Sequence, residues 1–184
     1  MGGSWDGDTN NCWDNCFGKE ESLANQLVAI VDAQNLDGID IDYEYCYDKA
    51  GKQNGANQCQ QTSVNYSDTL AKTFLDSLTS KLRTKLDALA TQPATGRYEL
   101  SHAPMDADLT IDSEYYKILK ARNADLDFLM PQFYNGVTRA VTDGIEGTAN
   151  GPSSAVSIYN NLVTDLFSNE PEKVSCTCDY SIVL

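Results

Sequence analysis

Positive charge is scarce in this chain: 13 Lys and Arg stand against 27 Asp and Glu, a net charge of −14 over 184 residues. Nucleic acids are held through basic faces, so this balance excludes a nucleic-acid partner. It disfavours an acidic membrane surface for the same reason, and no apolar run approaches the length of a transmembrane helix. No charged-then-apolar leader opens the chain. Histidine occurs once, at His102, and no paired C-x-x-C stands near it, which excludes a zinc-finger type of site. Asp6-Gly7-Asp8-Thr9-Asn10 begins like a calcium loop, but its twelfth place is Phe17 and not Glu, so that reading fails too. No metal and no cofactor is expected. Neutral or cationic ligands suit what remains.

Cysteine, by contrast, is plentiful, with six in the chain. Cys12 and Cys16 share one polar loop, and Cys46 and Cys59 share another. Proximity suggests two local disulfides, Cys12–Cys16 and Cys46–Cys59, and an oxidising, extracellular compartment. Free thiols in a reducing cytosol are the open alternative. Cys176 and Cys178 have no obvious partner. Asn65-Tyr66-Ser67 is an N-glycosylation sequon, consistent with secretion.

The length is that of one domain able to bury a core. Strand and helix signals alternate along it. Leu23, Leu27, Ile30 and Val31 recur at helical spacing, and a strand is read at 36–44. Residues 45–65 are read as a long polar loop. Ser67 or Asp68 caps the next helix, whose apolar face is Phe74, Leu78, Leu82, Leu86 and Leu89, ended by Pro93 and Gly96. A strand from Arg97 to Ala103, a helix from Glu114 to Lys120 and an apolar strand from Leu126 to Tyr134 follow. A loop spans Gly136 to Gly151. Pro152 opens a helix carrying Val156, Tyr159, Leu162, Val163 and Leu166, and Tyr180–Leu184 is a candidate strand. Such alternation predicts an α/β fold with a parallel sheet and right-handed crossovers.

The richest stretch is Leu36-Asp37-Gly38-Ile39-Asp40-Ile41-Asp42-Tyr43-Glu44. Side chains alternate faces along a strand, so Asp40, Asp42 and Glu44 share one face, at intervals of about 6–7 Å. Ile39, Ile41 and Tyr43 share the other, which suits packing under helices. Asp37 points away from the acids and is assigned a structural part. Like charges this close predict at least one carboxyl with a raised pKa. Three readings of the ladder compete: a solvated strand end, a divalent-cation site short of ligands, and a carboxyl acid for glycoside hydrolysis.

Asp37-Gly38-Ile39-Asp40-Ile41-Asp42-Tyr43-Glu44 resembles the DGxDxDxE signature of family 18 glycoside hydrolases, the chitinases and related endo-β-N-acetylglucosaminidases. Gly2-Gly3-Ser4-Trp5 is similar to the end of that family's SxGG strand. Leu100-Ser101-His102-Ala103-Pro104 is similar to a strand ending in Ala-Pro. Met130-Pro131-Gln132-Phe133-Tyr134-Asn135 resembles the QFYN strand of plant-type and fungal members.

The resemblance implies a (β/α)8 barrel, which needs about 250 residues. It would then be present in part, as roughly strands 3 to 6 or 7 with their helices. Met1 would be an internal methionine, residues 1–184 a truncated catalytic domain, and 170–184 a non-native tail. Glu172-Lys173-Val174 would start the seventh strand. An isolated chain of this kind is expected to fold poorly and hydrolyse little.

The resemblance also implies roles. Glu44 would be the proton donor. Asp42 would orient the substrate's acetamido group, whose own oxygen attacks the sugar in a retaining, substrate-assisted route. Asp40 would share a proton with Asp42, and Tyr134 would donate to the acetamido group. Gln132 and Asn135 would line the sugar site, and Trp5 would stack on a pyranose ring. His102 reads as a local departure from the pattern. The implied substrate is chitin or another N-acetylglucosamine-containing glycan. The alternatives are cleavage within the N-glycan core and a non-catalytic carbohydrate binder on the same fold.

Overall fold

The computed structural model describes residues 2–4, 13–48, 66–94, 96–133 and 155–174. Trp5, Tyr134, Asn135, Cys12, Cys59, Cys176, Cys178, the Gly136–Gly151 loop, Pro152 and the candidate strand at Tyr180–Leu184 lie outside them.

Four parallel strands form one sheet in chain order: β1 (Gly2–Ser4), β2 (Gly38–Glu44), β3 (Glu99–His102) and β4 (Phe128–Leu129). Helices α1 (Glu20–Gln34), α2 (Asp68–Asp87) and α3 (Glu114–Ala121) connect successive strands, and α4 (Ala155–Asn161) follows β4. This is the α/β alternation expected. Gly2 is required at the β1–β2 contact. Its φ is +128°, and a Cβ there would lie 2.0 Å from the Asp42 carbonyl oxygen.

The core lies behind the sheet, on the face of Ile39, Ile41 and Tyr43, which are all buried against the helices. Helix α2 is the clearest element in both sequence and structure. The Ser67 Oγ accepts from the Leu70 N–H at 3.1 Å, capping it, and Phe74, Leu78, Leu82 and Leu86 form its fully buried stripe. The helix stops at Asp87, before the expected Pro93, and Leu89 lies beyond its end. Helix α1 ends on Asn35, which takes a left-handed φ of 50°. Its buried stripe is Ala24, Val28 and Val31, and Ile30 is 51% exposed. Leu23 and Leu27 pack against the core at its margin, so of the expected stripe only Ile30 turns outward. Likewise Val156 is 70% exposed, while Ile158, Leu162 and Leu166 are buried.

Two more expectations are corrected. Tyr45, Cys46 and Tyr47 are buried and not part of a polar loop, because their rings extend the core: Tyr45 meets Tyr43 at 6.3 Å and Tyr66 at 6.0 Å. The strand expected over Leu126–Tyr134 is a ladder of only two residues. Pro104 has no N–H to give to this strand, although Met130 N still donates to the His102 carbonyl and Gln132 N to the Pro104 carbonyl, both at 2.9 Å. Val174 makes a single parallel bridge to Leu129. Cys16 is a free thiol, so the expected Cys12–Cys16 bridge is not formed.

His102 straps two helices to the back of the sheet. The Thr79 hydroxyl donates to the Leu75 carbonyl at 2.7 Å, so the His102 Nε2–H donates to Thr79 at 3.0 Å, and the Tyr115 hydroxyl donates to Nδ1 at 2.9 Å. Complete burial lowers the imidazole pKa to about 3, so the ring stays neutral. An unfolded histidine takes a proton below its ordinary 6.5, whereas the folded one does not until about 3. The strap therefore contributes stability above pH 6.5 that is lost on acidification. In His102→Gln, the loss of stability between pH 6.5 and 4 should shrink by roughly 3 kcal/mol. Urea unfolding at both values checks this; an unchanged pH dependence would show that another group carries it.

Candidate active site

On the front face of β2, alternation puts Asp40, Asp42 and Glu44 side by side, all partly exposed between buried Ile39, Ile41 and Tyr43. The backbone below them is fixed by parallel pairing on both sides. Asp42 and Glu44 lie opposite Gly2 and Ser4 of β1, and Asp40 lies opposite Ser101 of β3. That register brings the Ser101 hydroxyl within reach of Asp40, and it donates to Oδ1 at 2.6 Å.

Gln132 closes the site from the far edge of the sheet. Its Nε2 donates to Asp42 Oδ1 at 2.8 Å, to Glu44 Oε1 at 2.9 Å and to the Ala103 carbonyl at 2.9 Å. Two amide hydrogens thus serve three acceptors, and two of those acceptors are the outer acids of the ladder. Gln132 is itself buried. Its bridge to Met105 fixes the strand position from which it reaches.

The raised pKa expected of the ladder falls on Asp42. Burial pushes its carboxyl up to about 6, helped by the negative charges of Glu44 and Asp40 and by a hydrogen bond to the Glu44 side chain. Below that pH one proton sits in the Asp42–Glu44 hydrogen bond, and the two carboxyls behave as a pair. The arrangement can hold a proton at its outer end while keeping negative charge below it. That is the requirement for general acid catalysis beside an electrostatic stabiliser.

The structure thus brings Asp40, Asp42, Glu44 and Gln132 together. Trp5, Tyr134 and Asn135 lie outside the described residues. Among the described residues no group of His, Cys, Asp and Glu is arranged to hold a metal ion, and no helix is long and apolar enough to cross a membrane. Sequence reading missed Ser101. The signal for it was a hydroxyl residue on the strand paired with the acid strand, legible only once the register was known.

Comparison with known proteins agrees with this arrangement. The family model described as "Glycosyl hydrolases family 18" matches residues 3–180. No curated protein matches the chain. Among solved structures, the crystal structure of a GH18 chitinase from Pseudoalteromonas aurantia aligns with a TM-score of 0.59 and 27% identity, over 95% of this chain and 52% of that one. The chain spans about half the length of that chitinase.

Proposed function

We infer from one premise, that this chain belongs to glycosyl hydrolase family 18, that the protein hydrolyses β-1,4 linkages between N-acetylglucosamine units of chitin or chito-oligosaccharides. The observation that carries this reading is the Asp42–Glu44 pair held together under the Gln132 amide, with the Asp42 carboxyl pushed up by burial. Its four parallel strands are read as part of a (β/α)8 barrel, with the acids at the C-terminal ends of the strands, where such barrels keep their chemistry.

In this reading Glu44 gives its proton to the glycosidic oxygen. The acetamido oxygen of the substrate attacks the anomeric carbon from the opposite face, and the leaving sugar departs. Asp42 accepts from the acetamido N–H and stabilises the positive charge of the oxazolinium-like intermediate. The Glu44 carboxylate then takes a proton from water as it opens that ring, which restores the acid and retains the configuration. Asp40, held by Ser101, supplies negative charge one layer down. Tyr134 donates to the acetamido oxygen, Gln132 and Asn135 line the sugar site, and Trp5 stacks on a pyranose. Secretion, glycosylation at Asn65 and a Cys46–Cys59 bridge belong to the same reading.

The experiment is hydrolysis of a fluorogenic chitotrioside against pH. The proton of the Asp42–Glu44 pair is present below about pH 6 and lost above it. Thus kcat/KM, which reports the free enzyme, should fall as pH rises past about 6. Turnover that kept rising through pH 8 would remove this pair as the source of the acid.

A further inference from the structure

Among the described residues the mechanism leaves three buried carboxyls unused, Asp14, Asp106 and Asp108. Asp108 is fully buried in the helical turn Asp106–Leu109 that follows β3. The Tyr47 hydroxyl donates to its Oδ1 at 2.8 Å and lies 3.1 Å from the Ser113 Oγ. Ser113 in turn caps α3, accepting from the Tyr115 N–H at 3.1 Å. Tyr47 stands three residues beyond Glu44, so this hydroxyl ties the chain leaving the acid strand to the turn after β3 and to the start of α3. A second tyrosine braces the same stretch from the other side: the Tyr43 hydroxyl donates to the Cys46 carbonyl at 2.6 Å. Glu44 thus sits between two anchored tyrosines, both fully buried, and the Tyr115 ring packs on each, at 6.1 Å from Tyr43 and 5.7 Å from Tyr47.

We propose that Asp108 is a positioning residue for Glu44, acting through Tyr47 and Ser113 to hold the chain beyond β2 and keep the Glu44 carboxyl against Asp42 and Gln132. This rests on the reading of Glu44 as the acid. Two supports go beyond geometry. The charge of Glu44 adds to the repulsion at Asp108, after burial and the charge of Asp106. Burial also pushes the Asp108 carboxyl up to about 8, against the opposing hydrogen bond from Tyr47 and with added repulsion from Asp106 and Glu44. The titratable groups around it are Asp106 on its own turn, Glu44, Tyr43 and Tyr47 from β2 and its continuation, and Tyr115 from α3; Asp48 acts on Tyr47. Asp108 thus stays neutral through the range in which the acid pair holds its proton. Its ionisation near pH 8 adds a negative charge within electrostatic reach of Glu44.

The test uses the 184-residue chain with carboxyl carbons labelled for NMR, as wild type, Asp108→Asn and Tyr47→Phe. In the wild type the Glu44 carboxyl resonance should show an additional step near pH 8. Asp108→Asn, which keeps the shape of the neutral acid, should abolish that step. Tyr47→Phe, which keeps the carboxyl but unhooks it, should shift the midpoint of the Asp42–Glu44 pair away from about 6. Chitotrioside kinetics add a second readout. Tyr47→Phe and Asp108→Ala should lower kcat roughly 10- to 100-fold, as expected for a displaced acid, with KM little changed, and Asp108→Asn should restore most of the rate. A Glu44 titration identical in all three proteins would overturn the proposal. If Asp108→Asn does not fold, Tyr47→Phe decides alone by the same shift. The kinetics are read in the form of the protein that turns over the trioside; turnover in no form, the intact parent included, would count against the glycosidase reading, and the NMR titration would still decide the role of Asp108.

Discussion

Glu44→Gln should lower kcat on a chitotrioside by roughly 10²- to 10⁴-fold, the usual contribution of a general acid, while binding of the oligosaccharide is largely kept. The structure explains why the two effects separate. Gln132 donates to Glu44 Oε1, and the glutamine carbonyl oxygen can accept that bond unchanged. A protonated Asp42 can likewise donate to it. The variant therefore keeps the shape and hydrogen bonds of the site and loses only the transferable proton. It has a second signature as well. Removing the Glu44 charge takes away the second-largest cause of the raised Asp42 pKa, and burial remains, so the Asp42 midpoint should fall from about 6 without reaching the ordinary carboxylate value. The comparison belongs in the form of the protein that turns over the trioside. Turnover near wild type would remove Glu44 as the acid.

Gly38→Ala should be strongly destabilising. Gly38 pairs with Glu99 where β2 begins, and a Cβ there would stand 2.0 Å from the Glu99 carbonyl oxygen and 2.7 Å from its carbon. Those are backbone atoms held in the sheet, so no side-chain rotation relieves the overlap. β2 and β3 must separate, and with them the Asp40–Ser101 pair. The loss should be roughly 3 kcal/mol or more, in the range reserved for named steric or packing failures. Urea unfolding with circular dichroism reads it, and a midpoint equal to wild type would show that the strands part cheaply here. The glycine of the DGxDxDxE run is thus explained by close strand approach.

The acid ladder was legible from sequence because period-two alternation depends only on the strand being a strand. Ile39, Ile41 and Tyr43 buried behind Asp40, Asp42 and Glu44 follow from that alone. Helix α2 was legible for a similar reason: a four-residue recurrence of large apolar side chains with a serine cap leaves one way to lie on a sheet. Where large residues were not the ones that packed, as at Ile30 and Val156, the reading went astray, because the neighbouring helix and not hydrophobicity selects the buried stripe. The two-residue β4 and the buried Tyr45–Tyr47 failed in the same way. Each depends on what lies across from it.

Local pattern, then, determined the strand–helix alternation, the face on which the acids stand, the poverty of basic surface and the family to which the motif belongs. Which acid carries the raised pKa, that Ser101 holds Asp40, that Gln132 spans Asp42 and Glu44, and that Tyr47 hooks onto Asp108 were decided only by the fold. The residues of those pairs lie from 61 to 90 positions apart in the chain. Periodicity relates a residue to neighbours a few positions away, while the energy of a buried carboxyl depends on its burial and on the charges and donors that distant segments bring to within about 3 Å of it.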